Sequence, residues 1–336
     1  METVKDTLGR PLRSLRISVT DRCNFRCGYC MPAELFPPDH VFLPREEVLH
    51  FEEIHRLARL FAQLGVRKLR LTGGEPLLRK GLPDLVQMLR GIPGIEDIAL
   101  TTNGALLRER AEALRWAGLD RLTVSLDSLD PQRFATLSDT TIPLSKVLDG
   151  IDAALEAGFP PVKLNCVLQR GVNETDILPL AAFARERGLL LRFIEYMDVG
   201  SALGWRLDKV VPAVEVRAII GSRWPLLPAT EESESDVARH WRYADGSGEV
   251  GLIASVTEPF CSGCDRARLS ADGHLYTCLF AAEGLDVKGM LRGGMDDASI
   301  LALLRGRWSR REDRYSEIRS EATAALPRVP MHRVGG

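Results

Sequence analysis

At 336 residues, 45% hydrophobic and 27% charged, the chain can build one large core, or a core with a smaller appended domain. A formal net charge of −2 excludes a general polyanion binder, so any phosphate contact must come from locally placed arginines. No apolar run approaches the roughly 18 residues of a membrane span, Met1 to Thr20 contains no apolar signal core, and the seven cysteines are an odd count for a disulfide scaffold; the expectation is a cytoplasmic protein binding neither membrane nor nucleic acid.

The first predicted strand, Leu15 to Val19, runs into Asp21-Arg22-Cys23-Asn24-Phe25-Arg26-Cys27-Gly28-Tyr29-Cys30. Iron–sulfur cubanes are normally held by four thiolates, so Cys23, Cys27 and Cys30 with no fourth cysteine nearby would leave one iron open to a small molecule. A structural zinc site completed by His40 is the plainer alternative. Further strands are predicted at Lys68 to Leu71, Ile95 to Leu100, Arg121 to Leu126, Val162 to Leu168 and Leu190 to Ile194. Helical patterns lie between them, such as Ile54, Leu57, Ala58 and Phe61 on one face; the helices stop at Gly65, Gly91, Gly118, Gly158 and Gly188, each expected to be left-handed.

Repeated strand then helix means parallel strands joined by crossovers. Nearly every predicted strand ends in polar chemistry: Thr20-Asp21, Thr72-Gly73-Gly74-Glu75-Pro76, Thr101-Thr102-Asn103-Gly104, Ser125-Leu126-Asp127-Ser128 and Glu195-Tyr196-Met197. An open doubly wound sheet needs such residues at one switch point, whereas a barrel gathers all the ends at one mouth. The expected fold is therefore α/β, an incomplete (β/α)6 TIM-type barrel over residues 1–200, with a smaller α+β domain over 201–336 covering the open side; an open sheet is the alternative. Arg16, Arg70 and Lys163 lie on strands and are expected to face a polar lumen and an anionic ligand. Gly73 and Gly74 would admit close backbone approach, Glu75 could accept from an amine, and Cys166 reads as a small buried residue. Neither a P-loop nor a dinucleotide fingerprint is present.

A second triplet, Cys261, Cys264 and Cys278, again lacks a fourth cysteine, with His274 available should the site be zinc. Arg266 and Arg268, two apart on a strand, would share a face and fork onto phosphate or carboxylate oxygens. The acidic stretch Ala229 to His240 reads as a solvated loop with no assigned role. The last residues, Gly335 and Gly336, would ordinarily fray, although glycines can also thread a narrow cavity.

The Cys23-x3-Cys27-x2-Cys30 motif resembles the signature of the radical S-adenosylmethionine (radical SAM) superfamily. Leu15 to Cys23, Leu71-Thr72-Gly73-Gly74-Glu75-Pro76-Leu77-Leu78-Arg79, the second triplet with its Arg-x-Arg, and the Gly-Gly end are together similar to the GTP 3′,8-cyclase family, over nearly the whole chain. The resemblance implies that Cys23, Cys27 and Cys30 hold a first 4Fe-4S cluster whose free iron takes the amino and carboxylate groups of S-adenosylmethionine, with Tyr29, Gly74, Ser125 and Met197 as further contacts. Cys261, Cys264 and Cys278 would hold a second 4Fe-4S cluster that binds the purine of GTP. Arg16, Arg70, Thr101, Lys163, Arg266 and Arg268 would hold the nucleotide, with Gly335 and Gly336 reaching into the site.

The reaction so implied opens molybdenum cofactor biosynthesis. A 5′-deoxyadenosyl radical takes the 3′ hydrogen of GTP, and the ribose radical attacks C8 to give 3′,8-cyclo-7,8-dihydro-GTP after one further reduction. An electron donor and hand-off to cyclic pyranopterin monophosphate synthase are the implied partners, with monomer and homodimer both open. Two departures, the glycine-free Leu137 to Pro143 loop and Val334, touch none of these residues. The competing readings are a radical SAM enzyme that modifies a peptide, and a non-catalytic metal-binding or electron-transfer module.

Overall fold

The computed structural model describes residues 3–199, 204–229, 237–320, 323 and 328–335, so Glu231, Glu232, Glu234, Asp236 and Gly336 lie outside the described residues. Strands β1 (Ser14–Ser18), β2 (Lys68–Thr72), β3 (Asp97–Thr102), β4 (Arg121–Ser125), β5 (Lys163–Leu168) and β6 (Leu190–Glu195) pair in sequence order, all parallel. Helices α1 (Phe51–Gln63), α2 (Leu82–Arg90), α3 (Ala111–Trp116), α4 (Pro131–Ser138), α5 (Leu144–Glu156) and α6 (Ile177–Glu186) occupy the crossovers.

Alternation along each strand separates two environments. Leu15 and Ile17 of β1 and Leu164, Cys166 and Leu168 of β5 are buried in the apolar core, while Arg16, Lys163 and Asn165 take the other face. Helix α1 shows how the outer layer attaches. Glu53 accepts from the His50 amide at 2.7 Å, which satisfies a donor at the helix start. Ile54, Leu57, Ala58 and Phe61 then bury fully against the strands, each large side chain contributing up to about 1.5–3 kcal/mol. Gly65, Gly118, Gly158 and Gly188 have positive φ, as the helix stops require. Gly91 does not: it stays right-handed at φ −70°, and the left-handed residue is Gly94 at φ 90°, because the chain makes one further turn through Ile92 before reversing.

The rest of the chain adds α7 (Ala213–Arg223), β7 (Leu226–Pro228), β8 (Arg239–Tyr243), β9 (Glu249–Ile253), β10 (Arg266–Leu269), β11 (His274–Tyr276), β12 (Leu285–Asp286), α8 (Val287–Arg292) and α9 (Asp297–Ser309). These strands extend both edges of the first sheet. Strand β9 runs parallel beside β6 and continues antiparallel through β8 and β7; β10 runs parallel beside β1 and continues through β11 and β12. The six parallel strands expected from sequence are thus flanked by two more, and among the described residues β9 and β10 do not pair, so the ring stays open.

The sheet is curled. A flat sheet would set β1 and β6 about 24 Å apart, yet Arg16 and Arg192 from those strands sense each other's charge. Thr123 Oγ1 on β4 accepts from both Arg70 on β2, at 3.2 Å, and Arg192 on β6, at 3.5 Å.

One buried carboxylate fastens the later segment to the barrel. Glu195, at the end of β6, accepts from the amides of Ala213, Val256 and Thr257 and from the Thr257 hydroxyl. Glu195→Ala removes the acceptor of three partly buried N–H donors and is expected to lower the unfolding free energy of the cluster-free protein by about 2 kcal/mol, measured by urea denaturation.

Candidate functional site

The carboxyl ends of the strands meet the first cysteine loop directly. Gly74 donates its amide to the Thr20 carbonyl at 2.9 Å, and Glu75 donates to the Arg22 carbonyl at 2.7 Å. A Cβ at Gly74 would strike the Arg22 carbonyl oxygen, so the glycine is required by the cysteine loop itself. Glu75 is fully buried, and its carboxylate accepts from the Leu77 and Asn103 amides and the Thr102 hydroxyl. It is a pin between the loops after β2 and β3.

Cys23, Cys27 and Cys30 are free, half-buried thiols close enough to interact electrostatically. A cavity of about 320 Å³ lies against Cys23, lined also by Asn24, Arg26, Ala33, Phe36, Pro38 and Asp139. Asp139 takes the left-handed φ of 40° at the end of α4, in the loop that lacks glycine. Burial, then the charge of Glu75, pushes the Cys23 thiol up to about 12; burial raises Cys27 and Cys30 as well. The Tyr29 hydroxyl donates to Asp127 at 2.8 Å, and Asp127 also accepts from the Val167 amide, tying the cysteine loop to β4 and β5. Ser125 and Met197, both half-buried, stand at the ends of β4 and β6 on the same mouth.

The concave face below this mouth is dominated by arginine. Arg16 stands in direct register between Arg70 on β2 and Arg268 on β10, with Arg266 one pair further along. Burial, then Arg268, Arg70, Arg266 and Arg192, lowers the proton affinity of Arg16 well below the usual guanidinium value. Arg70 and Arg268 are brought down to about 10, each by burial first and then by a neighbouring arginine, Arg121 for Arg70 and Arg266 for Arg268. Arg70 donates to Thr101 Oγ1 at 3.0 Å, and Lys163 joins the same face, in register with Thr123. Arg192, Thr123 and Asn165 belong to this face and were missed from sequence; Arg192 donates to Asn165 at 2.9 Å, and burial and Arg70 lower it to about 9. An arginine inside an apolar strand is the signal that marked Arg16 and Arg70, and Arg192 carries it too.

The chain returns to this face at Gly335. Arg268 donates to the carbonyls of Val334 and Gly335, and Arg16 reaches the Gly335 carbonyl at 3.5 Å. Gly335 has φ 67°, and a Cβ there would collide with Thr72 Oγ1, so this tail position admits only glycine. Fraying, the ordinary expectation, does not describe Gly335.

The second triplet is likewise free and half-buried. Burial pushes the Cys264 thiol up, but Arg266 and Arg311 outweigh it and bring it to about 7, while burial raises Cys278 to about 11. A buried thiol poised to ionise beside cations suits an anionic sulfur ligand. Of the histidines that could have completed zinc sites, His40 packs edge-on to Phe36 and Phe42, and His274 Nδ1 lies 3.4 Å from Asp272 without a hydrogen bond. Among the described residues no group of three His, Cys, Asp or Glu side chains surrounds a single-ion position, and no helix is long and apolar enough to cross a membrane.

Residues 17–184 match the Radical SAM superfamily, and residues 189–317 match the family described as Molybdenum Cofactor Synthesis C. A GTP 3′,8-cyclase of Acidothermus cellulolyticus is 58% identical, the match covering 95% of this chain and 89% of that protein. One from Xanthomonas campestris pv. campestris is 53% identical, with 99% of this chain and 97% of that protein covered. Among solved structures, SuiB of Streptococcus suis bound to S-adenosylmethionine superposes with a TM-score of 0.61 at 14% identity, covering 93% of this chain and 66% of that one, a likeness of fold alone. The chain belongs to the GTP 3′,8-cyclase family of the radical SAM superfamily.

Proposed function

We propose that this protein converts GTP to 3′,8-cyclo-7,8-dihydro-GTP, the first step of molybdenum cofactor formation. The observation that carries the reading is the register-matched set of Arg16, Arg70 and Arg268, joined by Arg266 and Arg192, on one concave face. Buried guanidiniums that repel one another gain most from a ligand carrying several negative charges on forked oxygens, which a triphosphate supplies.

In this reading residues 1–200 carry the first site and 201–336 the second. Cys23, Cys27 and Cys30 would hold a four-iron cluster, with Tyr29, Gly74, Ser125 and Met197 around S-adenosylmethionine. Cys261, Cys264 and Cys278 would hold a second cluster beside the purine. When bound, the first cluster and S-adenosylmethionine supply homolytic, hydrogen-abstracting chemistry. The protein's own part is positional. Arg16, Arg70, Arg192, Arg266, Arg268, Thr101 and Lys163 fix the nucleotide so that its ribose faces the mouth, and the tail at Gly335 covers the arginine face and excludes water. Unpaired thiols suit a reducing cytoplasm, with an external electron donor and hand-off to cyclic pyranopterin monophosphate synthase.

Anaerobic reconstitution with iron and sulfide, followed by reductant, S-adenosylmethionine and GTP, tests the reading. About eight irons per chain, from two four-iron clusters, and GTP-dependent release of 5′-deoxyadenosine with the cyclised product are expected. Turnover of a peptide but not of GTP would overturn it. Arg192→Ala is expected to raise KM for GTP about tenfold, equivalent to ~1.4 kcal/mol, with a smaller effect on kcat. Cys23→Ala should abolish 5′-deoxyadenosine release, whereas Cys264→Ala should abolish the cyclised product; liquid chromatography of quenched reactions separates the two outcomes.

A further inference from the structure

One buried network outside the nucleotide face converges on the second triplet. Arg311 is 4% exposed and stacks on Trp308 at 4.6 Å. Its guanidinium donates to the Cys264 carbonyl at 2.7 Å, to Cys264 Sγ at 3.1 Å, to the carbonyl of Thr277, the residue before Cys278, at 3.0 Å, and to Asp6 at 3.2 Å. Asp6 also accepts from Arg10 Nε at 2.6 Å, and Arg10 donates to the Cys261 carbonyl at 2.9 Å. Through Asp6 the two arginines therefore hold the main chain at or beside each of the three cysteines.

The contact to sulfur differs in kind from the others. Cys23 Sγ and Cys278 Sγ accept from the main-chain amides of Phe25 and Phe280, which are neutral donors at 3.4 and 3.5 Å. Arg311 places a permanently charged donor on Cys264 Sγ at shorter range. A cluster gains one electron on reduction, and that density falls partly on its sulfurs, so a cationic N–H on a ligating sulfur favours the reduced state.

We infer that Arg311 is a positioning residue that raises the reduction potential of a cluster held by Cys261, Cys264 and Cys278. The inference rests on the second-cluster reading above. The step is a one-electron reduction of that cluster by a low-potential external donor, with no bond made or broken.

The test is a potentiometric titration of the full-length, anaerobically reconstituted protein followed by electron paramagnetic resonance. The first cluster is identified by its spectral change with S-adenosylmethionine and serves as the internal reference. Arg311→Gln is expected to keep about eight irons from two four-iron clusters. At a fixed poise near the midpoint it should shift the second cluster's oxidised-to-reduced ratio at least tenfold toward oxidised, about 59 mV for a one-electron couple, and leave the first cluster unmoved. An unchanged second midpoint, or an equal shift in both clusters, overturns the inference. If Arg311→Gln loses the second cluster, the neutral, similarly sized Arg311→Met decides: a lowered second midpoint supports the inference, and an unchanged midpoint or a second loss overturns it by leaving Arg311 a structural role alone. A wild-type chain that binds only about four irons, one cluster's worth, overturns the second cluster itself and the inference with it, and the iron count tells that failure apart.

Discussion

Repulsion among buried arginines is the constraint around which the molecule is arranged. Parallel pairing sets Arg16 level with Arg70 on one side and Arg268 on the other. Side chains on neighbouring strands stand roughly 5 Å apart at the backbone, so the guanidiniums compete for the few acceptors within reach. The curl of the sheet sharpens the conflict by bringing Arg192 from β6 into the same field. In the described residues the carbonyls of Val334 and Gly335 and the hydroxyls of Thr101 and Thr123 meet part of that demand, and all are neutral acceptors. Neutral acceptors satisfy hydrogen bonds without cancelling charge.

The two cysteine triplets sit in opposite electrostatic settings. The first lies near the carboxylates of Glu75 and Asp127, whose own ionisation burial opposes, raising them to about 7 and about 6. The second lies among Arg266, Arg268 and Arg311. One fold thus presents two similar sulfur arrangements with different surroundings, and chemically distinct behaviour can follow from environment rather than from ligand identity.

Much of this was legible in the sequence because it depends on local pattern. All six strand positions and the lumen-facing Arg16, Arg70 and Lys163 follow from alternation, and the buried Cys166 from its place on β5. The extension of both sheet edges by β9 and β10 was not legible, since strand pairing across about 60 residues at one edge and roughly 250 at the other leaves no periodic trace. Nor was the role of Glu75, whose partners Thr102 and Asn103 become neighbours only when two loops meet. Arg311 was silent for the same reason: its contacts at Asp6, Cys264 and Thr277 come from three distant segments.

The edge pairing has a consequence for how the chain is made. Strand β1 emerges early in synthesis, but its outer neighbour β10 is about 250 residues behind it. Until then β1 presents unpaired main-chain donors and acceptors beside the cysteine loop, a template for mispairing with other nascent chains. Closing so long a loop is entropically slow, so the arginine face is completed late in folding.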